Sequence, residues 1–151
     1  MILLGSGNLL AAAVDALVNP VNCAGVMGRG LALAFKKRLP WCVVPYVDAC
    51  RRGELQPGRV LVVESPKPGA PRFVIHFPTK RHWREASRIE DIDAGLPALA
   101  AEIERHRITS IAVPALGCGL GGLAWDDVRP RIERALASVR DLRAVLYGPE
   151  R

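Results

Sequence analysis

Side-chain amides are scarce in this 151-residue chain: asparagine stands at 8, 19 and 22, and glutamine at 56 alone. Aromatic residues make up only 5%. The four cysteines, at 23, 42, 50 and 118, form no C-x-x-C, and the three histidines lie far apart at 76, 82 and 106. Zinc-ligand spacing is missing, so no structural metal is expected. No apolar run is long enough to cross a bilayer. Met1 leads straight into Ile2-Leu3-Leu4 without a basic segment or a small-residue cleavage site. No secretory signal is visible, and a cytoplasmic location is expected. Repeats and low-complexity tracts are also absent. What remains is half apolar and 24% charged. It reads as one domain over 1–151, of a size that a longer protein can carry as its catalytic module.

Two apolar runs each empty into a glycine-rich loop. Ala16-Leu17-Val18 leads into Asn19 to Gly30, and Ile111-Ala-Val113 leads into Pro114-Ala-Leu-Gly-Cys-Gly-Leu-Gly-Gly122. A glycine turn between strand and helix lets backbone N–H groups converge on an anion, because no Cβ blocks the approach and the helix end adds positive potential. Two such turns can grip a diphosphate from both sides. Neither contains Gly-x-x-x-x-Gly-Lys-Ser/Thr, and Asn22 to Gly30 does not fit Gly-x-Gly-x-x-Gly, so the common nucleotide cradles are excluded. Cys23 and Cys118 lie inside these loops, where a small side chain beside tight backbone explains them better than a nucleophile does. Three of the four amides fall at or before the first loop, which marks them for hydrogen bonding.

The elements alternate as in a sheet covered by helices on both faces. Strands are expected at Ile2 to Leu4, Ala16 to Val21, Arg59 to Val63, Arg72 to Phe77, Ile108 to Val113 and Leu142 to Tyr147. A helix runs from Gly30 until Pro40 stops it, and another covers Trp41 to Cys50. Ile89, Ile92, Leu96, Leu99 and Ile103 draw an apolar stripe along a third helix, with Ser87 as N-cap and Glu90 completing a capping box. Val128, Ile132, Leu136 and Val139 mark a fourth, with Pro130 in its first turn.

The formal net charge is +6. Its clusters are Lys36-Lys37-Arg38, Arg51-Arg52, and Lys80-Arg81-His82-x-Arg84 with Arg88. The first two read as a helix end and a solvated turn. The third suits a nucleic-acid backbone.

Val18-Asn-Pro-Val-Asn-Cys23 and Pro114-Ala-Leu-Gly-Cys-Gly-Leu120 resemble the two loop signatures of a macrodomain, the ADP-ribose-binding module, over nearly the whole chain. Within that family, three stretches are similar to the branch holding the terminal ADP-ribose protein glycohydrolase and the DarG antitoxins: Val26 to Lys37, Phe77-Pro-Thr-Lys-Arg-His-Trp83, and Gly117 to Trp125. The resemblance implies an α/β macrodomain, three layers α/β/α around a central mixed sheet of about six strands. It implies ADP-ribose as ligand and product, no cofactor and no membrane. It further implies a glycohydrolase that removes ADP-ribose from thymidine in single-stranded DNA, as antitoxin to an ADP-ribosyltransferase toxin.

Residue by residue, the resemblance places Asn8 and Leu9 at the adenine, where Asn8 stands for the usual aspartate, and Asn22 at the distal ribose. Asn19 is expected to supply the turn hydrogen bond that would otherwise occupy Asn22. Gly25, Val26, Met27, Gly28 and Gly30 would wrap the diphosphate from one side. Pro114, Leu116, Gly117, Cys118, Gly119, Leu120 and Gly121 would do so from the other, with Leu116 and Leu120 closing over the ligand. Lys80, just past a strand end, is the expected catalytic residue, activated by repulsion from Arg81, His82 and Arg84. Those three neighbours and Trp83 are expected to contact DNA or its bases. The protein glycohydrolase has an aspartate after Gly-Cys-Gly-Leu, whereas this chain has Gly121. The alternatives are a glycohydrolase on protein carboxylates, a deacylase of acetylated ADP-ribose, and a reader that binds without cleaving.

Overall fold

A computed structural model describes residues 1–149. Its strands are β1 (Ile2–Gly5), β2 (Ala16–Asn22), β3 (Leu61–Glu64), β4 (Phe73–Lys80), β5 (Ser110–Val113) and β6 (Arg143–Tyr147). The helices are α1 (Gly30–Arg38), α2 (Val43–Arg51), α3 (Ile89–Arg105) and α4 (Trp125–Ala137). One six-stranded sheet runs in the order β1-β6-β5-β2-β4-β3. Every neighbouring pair is parallel except β3 with β4, so the sheet is mixed.

The apolar runs are buried on both faces, as parallel strands under two helix layers require. Ala16, Val18, Ile75, Phe77, Ile111 and Val113 pack with Ile92, Leu99 and Ile132 of α3 and α4. The alternate positions Leu17, Val74 and Ala112 pack with Phe35 of α1 and Cys42 on the other side. Period-two alternation thus sorts one sheet into two cores, giving the expected three layers.

Three local expectations are corrected. β4 does not stop at Phe77 but continues through Pro78 and Thr79 to Lys80, which is the strand's last residue rather than one beyond it. Ser87 does not cap α3: the N-cap is Arg88 with no side-chain bond, and Ser87 is buried with its Oγ unpartnered. A contact far along the chain decides this, since the Ser87 amide donates to the Gly121 carbonyl at 3.0 Å. Finally, α4 starts at Trp125, so Pro130 lies in its second turn.

His76 is fully buried in β4 between the Asn19 amide, 3.3 Å from Nδ1, and the Cys42 carbonyl, 2.8 Å from Nε2. The carbonyl requires Nε2 to carry the proton, so Nδ1 accepts from Asn19. Burial holds His76 neutral and pushes its pKa down to about 4, with the Cys42 carbonyl opposing. A folded pKa below the unfolded value means that the unfolded chain binds the extra proton first. This contribution to stability is therefore complete above pH about 6.5 and lost as pH falls through about 4, roughly 3 kcal/mol in all. Urea titrations between pH 7 and 4 should show this decline, and His76→Gln should flatten it while lowering stability throughout.

Candidate active site

β5, β2 and β4 are adjacent and parallel, so their carboxyl ends share one rim of the sheet. The loops into α4, α1 and α3 leave from that rim, the position where open α/β sheets bind ligands. The three helices also begin there, and none has a side-chain cap. Their charges differ. α3 carries Glu90 and Asp91 in its first turn and α4 carries Asp126 and Asp127, whereas α1 carries no acid. The positive end of α1 alone is uncompensated, and it follows the first glycine loop, so an anion is best met there. The contrast was open to view in the sequence once the helix starts are known.

The first loop is braced by Asn22. Its Oδ1 accepts from Ala24 N at 3.0 Å and Val26 N at 3.4 Å, and its Nδ2 donates to the Val26 carbonyl at 2.8 Å. The Tyr46 hydroxyl lies 2.7 Å from the Asn22 carbonyl and 2.9 Å from Oδ1. Asn22 therefore makes the turn, and the role expected of Asn19 is corrected: Asn19 is buried against His76. Among the described residues, Val26 O is the one acceptor that Asn22 Nδ2 meets. Gly25 takes φ +81, a left-handed conformation that glycine supplies without strain.

The second loop closes on itself through Leu123 N to Gly117 O at 2.9 Å and Cys118 N to Ala115 O at 3.0 Å. It meets the first loop directly, since a Cβ at Gly30 would lie 3.6 Å from Leu120 Cδ1. Leu120 and Val26 are exposed on the facing lips, 62% and 42%. Gly28 and Gly119 are exposed as well. Asn8 is exposed on the turn after β1, its Oδ1 accepting from Leu10 N at 3.0 Å.

Four expected ligand residues have buried side chains. Leu9 and Met27 are 4% and 5% exposed and Leu116 is fully buried in the α3/α4 core, so Leu116 does not close over a ligand. Pro114 is buried too. Their place in the motifs is to seat the loops. Burial pushes the Cys23 thiol up to about 11, with Cys50 and Asp91 adding to it and Arg81 opposing. Cys118 rises likewise to about 11 through burial and then Asp127. Both remain thiols at neutral pH and are not nucleophiles.

Lys80, half-buried, ends β4 opposite Asn22, and its carbonyl accepts the Cys23 amide at 3.1 Å. This backbone bond fixes the lysine at the mouth of the first loop. Arg81 forks onto Asp91 at 3.1 and 3.2 Å, and Asp91 is buried. The guanidinium expected to repel Lys80 and bind DNA is thus committed to a carboxylate. Lys36, Lys37 and Arg38 lie in the last turn of α1, a helix length from the rim.

Gly121 is walled in. A Cβ there would overlap Ser87 Oγ and lie 2.5 Å from the Gly117 carbonyl oxygen and 2.8 Å from Ser87 Cβ. No aspartate fits. A cavity of about 460 Å³ at the open edge of β3, lined by Leu55, Leu61, Ala98 and Glu102 among others, shares no residue with this rim.

The model of the Macro domain family matches residues 18–132, and the chain belongs to that family, the macrodomains. Within it, the chain is 49% identical over 149 residues to a DNA ADP-ribosyl glycohydrolase of Mycobacterium tuberculosis, covering 99% of this chain and 42% of that relative. The solved macrodomain of M. tuberculosis DarG superimposes with a TM-score of 0.97 at 49% identity, covering 99% of each chain. A DNA ADP-ribosyl transferase and glycohydrolase fusion protein of Thermosipho africanus is 34% identical over 158 residues, covering 95% of this chain and 40% of that one. The T. africanus DarTG structure, in complex with ADP-ribose, matches with a TM-score of 0.89 at 35% identity, covering 96% of this chain and 41% of its own. The chain spans about two-fifths of the length of these curated relatives.

The two neighbouring glycines separate fold from site. A Cβ at Gly119 meets nothing within 4 Å. Gly119→Glu should keep its melting temperature within about 2 °C yet weaken ADP-ribose binding at least tenfold by calorimetry. Gly121→Ala should cost about 1–3 kcal/mol by overpacking. Adding Ser87→Gly should recover only part of that loss, because the Gly117 carbonyl stays in place.

Proposed function

We propose that this chain is a DNA ADP-ribosyl glycohydrolase that removes ADP-ribose from thymidine in single-stranded DNA. The observation that carries this reading is Lys80, held by the Cys23 amide at the junction of β4 with the first glycine loop. The diphosphate lies between the α1 end and the second loop, with Asn8 toward adenine, Asn22 toward the distal ribose, and Gly25, Gly28, Gly30, Gly117, Cys118, Gly119 and Leu120 lining the grip.

The chemistry follows from that placement. The Lys80 amine attacks or polarises the anomeric carbon of the distal ribose. The bond from that carbon to the thymine nitrogen breaks and its electron pair leaves with the base. Water supplies a hydroxyl to the sugar and a proton to the base, releasing ADP-ribose. No carboxylate can stand at 121 to assist, which argues against the reaction on protein carboxylates. The 49% identity to a DNA ADP-ribosyl glycohydrolase supports the DNA substrate. The T. africanus fusion supports a transferase toxin as the functional partner, with this module as part of its antitoxin. Such a substrate places the work in the cytoplasm. Among the described residues no helix is long and apolar enough to cross a membrane.

Purified protein incubated with a single strand bearing ADP-ribose on thymidine, beside a protein bearing it on glutamate, should release ADP-ribose from the DNA only. Lys80→Ala should reduce that release at least a hundredfold while still binding ADP-ribose. Equal release by Lys80→Ala would remove the lysine from the chemistry, and release from the protein alone would move the activity to carboxylates.

A further inference from the structure

The segment from Arg81 to Arg88 joins β4 to α3 and is tied down at both ends. Arg81 forks onto Asp91 in the first turn of α3, and the Ser87 amide donates to Gly121 in the second glycine loop. Between these ties three planar groups lie together, Trp83 and Arg84 exposed and His82 half-buried. The His82 ring centroid lies 5.1 Å from that of Trp83 with 30° between the planes, and the Arg84 guanidinium carbon lies 4.4 Å from the Trp83 ring centre. The Arg84 backbone amide donates to His82 Nδ1 at 3.1 Å, which holds the imidazole against this turn. Trp83 is 44% exposed in a chain with only three tryptophans.

We propose that this pile is a stacking subsite for the nucleobase next to the modified thymidine, so that the enzyme selects unpaired DNA. The inference rests on the reading of the chain as a DNA glycohydrolase and adds to it where the strand lies. Indole, imidazole and guanidinium all offer flat faces on which a base stacks, and the arginine charge also meets the neighbouring phosphate. The indole already touches two planar neighbours. An incoming base has the exposed part of the indole, the imidazole or the guanidinium to stack on. Duplex bases expose only their edges in the grooves and cannot do this. Arg81 takes no part, because its guanidinium is spent on Asp91. The short tether from Lys80 to Trp83 places the pile one nucleotide's reach from the reacting sugar.

Three readouts test this on the intact protein: release kinetics from ADP-ribosylated single strand and from the same strand annealed to its complement, ADP-ribose affinity by calorimetry, and anisotropy of a fluorescein-labelled unmodified single strand. Trp83→Ala should raise KM for the modified single strand roughly tenfold, the loss expected for one stacked base, with kcat and ADP-ribose affinity unchanged. Trp83→Phe should restore most of it, and Arg84→Ala should reduce the salt dependence of oligonucleotide binding. The annealed substrate should react more slowly and be insensitive to Trp83→Ala. An unchanged KM in Trp83→Ala would overturn the proposal, as would an equal fall in ADP-ribose affinity, which marks a merely structural tryptophan. If wild type releases nothing from DNA, the glycohydrolase reading fails by itself. The subsite is then decided by whether Trp83→Ala weakens binding of the unmodified strand.

Discussion

The site depends on how β2 and β4 end together. The two strands run in register from Ala16 opposite Phe73 to Val21 opposite Pro78, and then Asn22 stands opposite Lys80 rather than Thr79. Pro78 has no N–H to give the ladder, and the slip follows immediately after it. A bulge of this kind adds a residue to one strand and re-aims the side chain that comes next. Here the next side chain is Lys80. Its carbonyl then takes the Cys23 amide, closing the irregular step onto the first residue of the glycine loop. The proline that ought to weaken a central strand therefore fixes where the Lys80 amine stands.

That constraint also explains what could be read from residues alone and what could not. The β2 and β5 runs, the glycine loops and the α3 stripe were legible because each is a local pattern of apolar spacing or backbone freedom. The end of β4 was not, because Pro78 locally argues for a stop and only pairing with β2 carries the strand on. Asn19 and Asn22 look interchangeable before a loop. One is turned toward His76 in the core and the other caps the turn, a choice made by strand register. Ser87 with Glu90 fits a capping box, yet the Ser87 amide is drawn to Gly121, 34 positions away in the chain. Leu9, Met27 and Leu116 belong to the motifs with their side chains buried, since a motif records the packing that seats a loop as well as the loop's exposed residues.

The excess positive charge of the chain divides in the same way. The cations of α1 complete its dipole away from the rim, and Arg81 neutralises a buried aspartate. What remains near Lys80 is Arg84, lying on a tryptophan, with Arg88 and Arg29 exposed at the N-caps of α3 and α1. The start of α1, with no acid in its first turn, offers a positive field that falls off within that turn and so acts only at close range.

Gly121 ties these strands of argument together. Its α-carbon backs onto Ser87, so the second glycine loop and the segment that carries Trp83 and follows Lys80 are packed as one piece. A side chain at 121 would have to push that segment outward, moving the stacked rings and the lysine's exit from the strand together. The missing carboxylate is thus a requirement of the packing as well as a difference in chemistry. A site built this way acquires an acid at 121 only by rebuilding the connection between β4 and α3.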